Sequence, residues 1–283
     1  MKKIQFSLFV FSLVVGLSCC NGQDPLQHSA LAIKKSQQAD SLLAQRFAPP
    51  PGFARNPADS SSFAYFLRHL PLKPSGSKVH YFNGEEKENQ GVYEAVVDLP
   101  IGRKDLHQCA DAVIRLRAAY LWHTRQFDKI SFHFTNGFPV EYDRWRKGDR
   151  IKVQQNKSFW VVDAAPASNS YNTFWAYLEM IFNYAGTLSL SKELNAKTIA
   201  NLQIGDVFIR GGSPGHAVIV VDMAENASGE KVFLLAQSYM PAQEIQILKN
   251  PNDAALSPWY STNFGEKLKT PEWVFDKNEL KGF

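Results

Sequence analysis

Two residues in this 283-residue chain have the types and settings for nucleophilic chemistry: Cys109 in QCADAV and His216 in SPGHAVIVVD. A thiol attacks an acyl carbon once a base takes its proton, and imidazole is the side chain suited to take it near neutral pH. Each residue also has a purely structural reading. A lone cysteine commonly packs as a small hydrophobe, and a histidine at a strand end can cap it by bonding a loop carbonyl.

The elements that must position them can be read from pattern. In Gly205 to Asp222, DVFIR and AVIVV are β-branched runs on either side of Gly211, Gly212, Ser213, Pro214 and Gly215. They predict two short strands and a loop, with His216 opening the second strand at the rim of a core. Asp105 is the expected N-cap of a long helix over LHQCADAVIRLRAAYLWHTRQ. Leu106, Cys109, Val113, Leu116 and Tyr120 recur at intervals of three and four, so Cys109 sits in the first turn on the core-facing stripe. There the positive end of the macrodipole would favour the thiolate. A third member follows from pairing. If Asp222 and Lys231 close the loop MAENASGE, counting back brings His216 opposite Gln237 on the same face, where the amide could hold the ring in its working tautomer. A slip of one residue would offer Ser238 or Ala236 instead.

Around this core the mature chain alternates helices and strands. SSSFAYFLRHL predicts a helix capped by Ser60 or Ser61, and KVHYF and GVYEAVVDL predict strands joined by an exposed loop, NGEEKENQ. DKISFHF, DRIKV, SFWVVDAA, KVFLLAQSY and AQEIQIL read as further strands. Ser170 to Gly186 is an aromatic helix whose Phe174, Tyr177, Leu178, Ile181 and Phe182 form a packing stripe. The tail SPWYSTNFGEKLKTPEWVF reads as aromatic, proline-punctuated loop.

Several chemistries have no anchor. There is no CxxC, HExxH or phosphate-binding glycine loop. GGSPG fits G-x-S-x-G around Ser213, but a nucleophile elbow needs a helix after the serine, and a proline and a strand follow. His107, Cys109, His123 and His133 scatter round the helix; His107 lies about 200 degrees from Cys109 at 3.6 residues per turn, so no metal site is expected. No cofactor is expected either.

The amino terminus carries a targeting signal. Lys2 and Lys3 lead into IQFSLFVFSLVVGL, which closes on Ser18, Cys19 and Cys20 and is too short for a spanning helix of roughly 20 residues. The ending is similar to the lipobox of bacterial lipoproteins, which implies acylation of Cys20, three residues after Leu17, or of Cys19. The chain has three cysteines, so Cys109 stands alone in the mature protein and no disulfide framework is available. A hydrophobic content of 45% supplies one substantial core. The formal charge of +4 loses two units with Lys2 and Lys3, and no basic run suggests nucleic acid. The expected layout is a signal over 1–20, a tether containing a helix over 21–51, and one globular domain over 52–283.

The strings DLHQCADAVIRLRAAYLW, HFTNGF, YAGTLSLSKEL, GDVFI, GGSPGHAVIVVD, LLAQSYMPAQEI and SPWYS resemble the bacterial lipoprotein family called domain of unknown function 4846. That family supplies no reaction. GDVFI followed by GHAVIVVD also resembles the hairpin of NlpC-type and CHAP-type papain-like amidases. This second resemblance implies an α+β fold of papain-like plan, with a long central helix packed on an antiparallel sheet. It implies Cys109 as nucleophile, His216 as base and Gln237 as orienter. Those enzymes usually carry DCSG where this chain has QCAD, and His or Asn where it has Gln237. The resulting expectation is a lipid-anchored envelope protein, outer-membrane in placement, cleaving an amide in cell-wall peptide. The alternatives are a non-catalytic lipoprotein binding peptide or glycan through Trp145, Trp160, Trp259 and Tyr260, and a structural envelope protein with Cys109 as core. If Cys20 carries the lipid, Cys20→Ala should leave the protein unacylated and soluble after cell disruption. Acylation persisting in that variant would move the anchor to Cys19.

Overall fold

The structure, a computed structural model, describes residues 41–283. The signal, Cys19, Cys20 and the tether up to residue 40 lie outside the described residues. In chain order the helices are α1 (Leu43–Arg46), α2 (Phe63–Arg68), α3 (Cys109–His123), α4 (Tyr142–Lys147), α5 (Tyr171–Tyr184) and α6 (Thr187–Glu193). The strands are β1 (Phe53–Ala54), β2 (Tyr93–Val96), β3 (Ser131–His133), β4 (Pro139–Glu141), β5 (Arg150–Gln154), β6 (Lys157–Val161), β7 (Asn195–Ala196) and β8 (Val207–Arg210). They continue with β9 (His216–Asn226), β10 (Lys231–Gln237), β11 (Gln246–Leu248), β12 (Tyr260–Ser261), β13 (Lys267–Lys269), β14 (Val274–Asp276) and β15 (Leu280–Gly282).

The main sheet has nine strands, with the path β2-β11-β10-β9-β8-β15-β7 and with β1 and β12 attached to β9 and β10. Its pairs are antiparallel. The α+β expectation holds, including a long helix on an antiparallel sheet: α3 packs on β9. Ala217 to Val221 of β9 form an uninterrupted apolar run because both faces of the strand are covered there. Ala217, Ile219 and Val221 join the α3 side, while Val218 and Val220 join a second layer with Phe208, Phe233 and Phe275.

Some elements differ from expectation. α3 begins at Cys109, capped by Gln108, and not after Asp105; residues 105–108 are held instead by the Ser238 to Gln243 loop. Ser238 Oγ donates to the His107 carbonyl at 2.9 Å, and Ala242 N–H donates to Asp105 at 2.7 Å. Ser62, not Ser60 or Ser61, caps α2 by accepting from Tyr65 N–H. KVHYF forms only isolated bridges. The stretch read as tail loop contributes β12, whose Tyr260 and Ser261 pair with Phe233 and Val232, and β13, which pairs with β14. The boundary at 51/52 also moves, since Leu43 is fully buried and Trp259 Nε1 donates to the Ala48 carbonyl at 3.0 Å.

The hairpin of β9 and β10 is tighter than expected. Asn226 Oδ1 accepts from Ser228 and Glu230 N–H, so Lys231 pairs with Glu225 and Asp222 pairs with Leu234, not Lys231. A bulge between Leu234 and Leu235 then shifts the partner of Leu235 to Val220. One step past the last pair, Ala236 with Ile219, Gln237 falls opposite Val218. It is therefore diagonal to His216 on the same face, within reach of a long side chain.

Next to the bulge, Asp222 is fully buried and accepts from Arg55 Nε and Arg68 Nε, each at 2.7 Å. Arg68 also donates to the carbonyls of Asn56 and Met223. These bonds tie the amino-terminal segment and α2 to the middle of β9. Asp222→Ala leaves the Arg68 guanidinium buried without its partner and should cost about 3 to 5 kcal/mol. The urea midpoint should fall at unchanged slope; an unchanged midpoint would show that water replaces the carboxylate.

Candidate active site

Cys109 is the first residue of α3, 7% exposed, and lines a cleft of about 260 Å³. The opposite wall is Thr187 at the start of α6 and the loop Gly212 to Gly215 between β8 and β9. Glycine is required at 215 because a Cβ there would meet the Arg210 carbonyl at 2.8 Å. The Cys109 sulfur is faced by the N–H groups of Ala110, Ala217 and Cys109 itself. The helix start and the residue next to His216 therefore meet at the thiol.

His216 opens β9 as expected and is 1% exposed. Its Nε2 and Gln237 Oε1 are 2.8 Å apart, so the expected partnership forms, through the diagonal and not through direct opposition. The ring packs against Tyr239, Trp273 and Phe275 at centroid distances of 4.8, 5.4 and 5.9 Å. Along β9 it alternates with Ala217, which faces α3. The structure thus brings His216 and Gln237 into contact and brings Cys109 to the neighbouring backbone N–H. No hydrogen bond joins the thiol to the imidazole among the described residues.

Electrostatics at this corner are governed by burial. The helix-end expectation of a thiolate is corrected: burial first, and then the Asp111 carboxyl two residues on, push the Cys109 thiol up to about 11. The surrounding N–H groups pull the other way without prevailing. Burial also drives His216 down to about 4, with Lys87 adding to the effect. At neutral pH the resting pair is therefore thiol and neutral imidazole. Asp111 accepts from Gln108 N–H at 3.0 Å, yet burial raises its carboxyl to about 8 and its Oδ1 has no partner. Gln108 gives one amide hydrogen to Asp105 at 3.1 Å.

Three groups here had no signal in the sequence. Lys87, in the loop expected to be exposed, is 3% exposed. Tyr239 and Glu272 come from segments read as strand end and tail loop. The proposed aromatic binding surface is corrected as well. Trp145, Trp259 and Tyr260 are core residues at 4%, 3% and 1% exposure, and Trp160 lies under the Arg144 guanidinium, 4.4 Å from its ring centroid. A larger cleft of about 480 Å³ lies toward the other end of β9 beside Met223 and Arg68, but Arg68 is already committed to Asp222.

The pKa directions fix an alkylation profile. The unfolded-like thiol titrates near 8.5, so at pH 7 Cys109 should react with iodoacetamide more slowly than a free cysteine, with its rate climbing toward pH 11. Asp111→Asn removes a negative neighbour and should move that midpoint down. A midpoint below 8.5 in the wild type would mean that the helix start outweighs burial.

Among curated proteins and among solved structures, no match to this chain is found. The family described as Domain of unknown function (4846) matches residues 43–282, from the first helix of the fold to the last strand of its sheet. The chain belongs to that family.

Proposed function

We propose that the protein is a cysteine-dependent amidase of papain-like mechanism, carried on an envelope lipoprotein. One observation carries this reading: at the start of β9, an imidazole held at Nε2 by an amide side chain stands next to the N–H that faces the first-residue cysteine of α3. A nucleophile lines a cleft, and a base held by its orienter follows directly on Gly215 of the cleft wall.

The chemistry takes its form from the neutral resting pair. As Sγ attacks the amide carbon, the thiol proton passes to His216 Nδ1, the nitrogen that Gln237 does not occupy. This is general-base catalysis, with the thiol turning about χ1 toward the ring, and not attack by a preformed thiolate. The N–H groups at the start of α3 and on Ala217 are donors available to the oxyanion. Collapse breaks the C–N bond and His216 returns the proton to the leaving amine. Water, deprotonated by the same ring, then splits the thioester and the ring returns that proton to the departing Sγ, so that amide and water become acid and amine and the resting thiol is restored. A cleft of about 260 Å³ walled by glycine, threonine and methionine suits a short peptide of small residues, as found in cell walls. The lipobox-like amino terminus supports anchoring in the envelope.

A second reading, a non-catalytic envelope protein, is favoured by the burial of Cys109 and by the absence of a thiol–imidazole hydrogen bond. The two readings separate in a hydrolysis assay following amine release from short cell-wall peptides. The amidase reading expects Cys109→Ala to abolish release and His216→Ala to lower it by roughly 10² to 10⁴-fold. Release that survives Cys109→Ala would contradict it, and no release from any peptide would leave the second reading.

A further inference from the structure

Behind Gln237 lies a buried chain of polar groups that the reaction above does not use. Gln237 Nε2 donates to Glu272 Oε2 at 2.7 Å. The same oxygen accepts from Lys87 Nζ at 2.8 Å. Lys87 Nζ also donates to Gln243 Oε1 at 2.9 Å, and that oxygen accepts from Gln246 Nε2 at 3.0 Å. Lys87, Gln237, Gln243 and Gln246 are all buried, and the Glu272 side chain is 13% exposed.

We propose that Glu272, paired with Lys87, is a positioning residue that sets the tautomer of His216 by fixing which way round the Gln237 amide lies. The proposal rests on the reading of His216 as the base. An ionised carboxylate only accepts hydrogen bonds, so the Gln237 NH₂ must face Glu272 and its carbonyl oxygen must face His216. That oxygen also only accepts, so Nε2 must carry the ring proton, and Nδ1 is left with the lone pair that can take the thiol proton. With the amide turned over, its NH₂ would donate to Nε2, the proton would move to Nδ1, and the ring could not serve as base toward the thiol. Lys87 completes the logic. Its ammonium, 2.8 Å from the oxygen that accepts from Gln237, fixes that oxygen in place as an acceptor. A buried ion pair gains little stability over apolar residues of the same size, so its effect here is on direction. The loop that delivers Glu272 also delivers Trp273, whose ring lies 5.4 Å from that of His216, so one segment supplies the orienting charge and the apolar cover.

The test is ¹⁵N spectroscopy of the histidine rings in the full chain, with the His216 signals identified by their loss in His216→Gln. The wild type should show protonated Nε2 and unprotonated Nδ1. Glu272→Gln frees the Gln237 amide to turn and should raise the Nδ1–H form to a readily detected share. Lys87→Met removes the cation that fixes the Glu272 carboxylate against the Gln237 amide and should do the same, and it stands in if Glu272→Gln does not fold. The exchanged pair Glu272→Gln with Gln237→Glu puts a carboxylate against Nε2 and should restore the wild-type pattern, a rescue that a merely structural role would not give. Retention of the pure Nε2–H form in folded Glu272→Gln or Lys87→Met overturns the proposal. The peptide hydrolysis assay separates the two claims. A tautomer that shifts as stated in a protein that hydrolyses nothing upholds the Glu272 relay and removes the amidase reading, while an active enzyme with an unmoved tautomer does the reverse. In an active enzyme the shift should lower kcat by roughly tenfold or more with little change in KM, since tautomer affects the proton-transfer step and not binding.

Discussion

Loss of water around a thiol and an imidazole is the constraint on which this corner of the molecule depends. Cys109 lines its cleft at the start of a helix that packs on β9 and is buried from Cys109 through Leu116, and that packing strips the sulfur of solvent. His216 is held in one orientation because three aromatic rings and an amide enclose it. In each case the burial that fixes position also disfavours the charged form. A thiolate–imidazolium pair is therefore not the ground state, and any stabilisation of charge has to come from dipoles already in place as the reaction proceeds. The N–H groups converging on the sulfur from the helix start and from Ala217 are such dipoles.

The rest of the fold keeps these groups in register. β9 is the spine: β8 and β10 flank it, α3 covers one face and an aromatic layer covers the other. Its middle and its start are fixed by different means. At the middle, Asp222 gathers two arginines from the amino-terminal part of the fold. At the start, the Ser238 to Gln243 loop bonds the residues just before α3, tying the end of β10 to the start of the helix. Cys109 and Gln237 are thus joined through a few hydrogen bonds although they are far apart in the chain.

Much of this was legible in residue pattern. The hairpin around Gly211 to Gly215, the position of His216, the helix bearing Cys109 and the aromatic stripe of α5 all follow from apolar period and turn chemistry, which act locally. Gln237 was reached by an expected register that differs from the real one. The tighter turn at Asn226 and the bulge at Leu234 and Leu235 moved the pairing by two residues in total, and a period of two returned Gln237 to the same face. What was not legible is what depends on contacts between distant segments. Nothing in NGEEKENQ marks Lys87 as buried, and nothing in TPEW marks Glu272 as its partner. The charge state of Cys109 likewise depended on how completely α3 is covered. Two of the three tryptophans expected on a binding surface, Trp145 and Trp259, are in the core, because aromatic residues near polar ones in sequence say little about which way they face.

The central claim, that Cys109 is an acyl-accepting nucleophile served by His216, is tested most directly by intact-mass analysis after brief exposure to an activated acyl ester, with peptide mapping of the adduct. The account predicts one acyl group on Cys109 in the wild type and its loss in His216→Ala, because the neutral thiol needs the ring to take its proton. A wild-type protein that acquires no acyl group on Cys109, or one whose acylation is unchanged by His216→Ala, would contradict it.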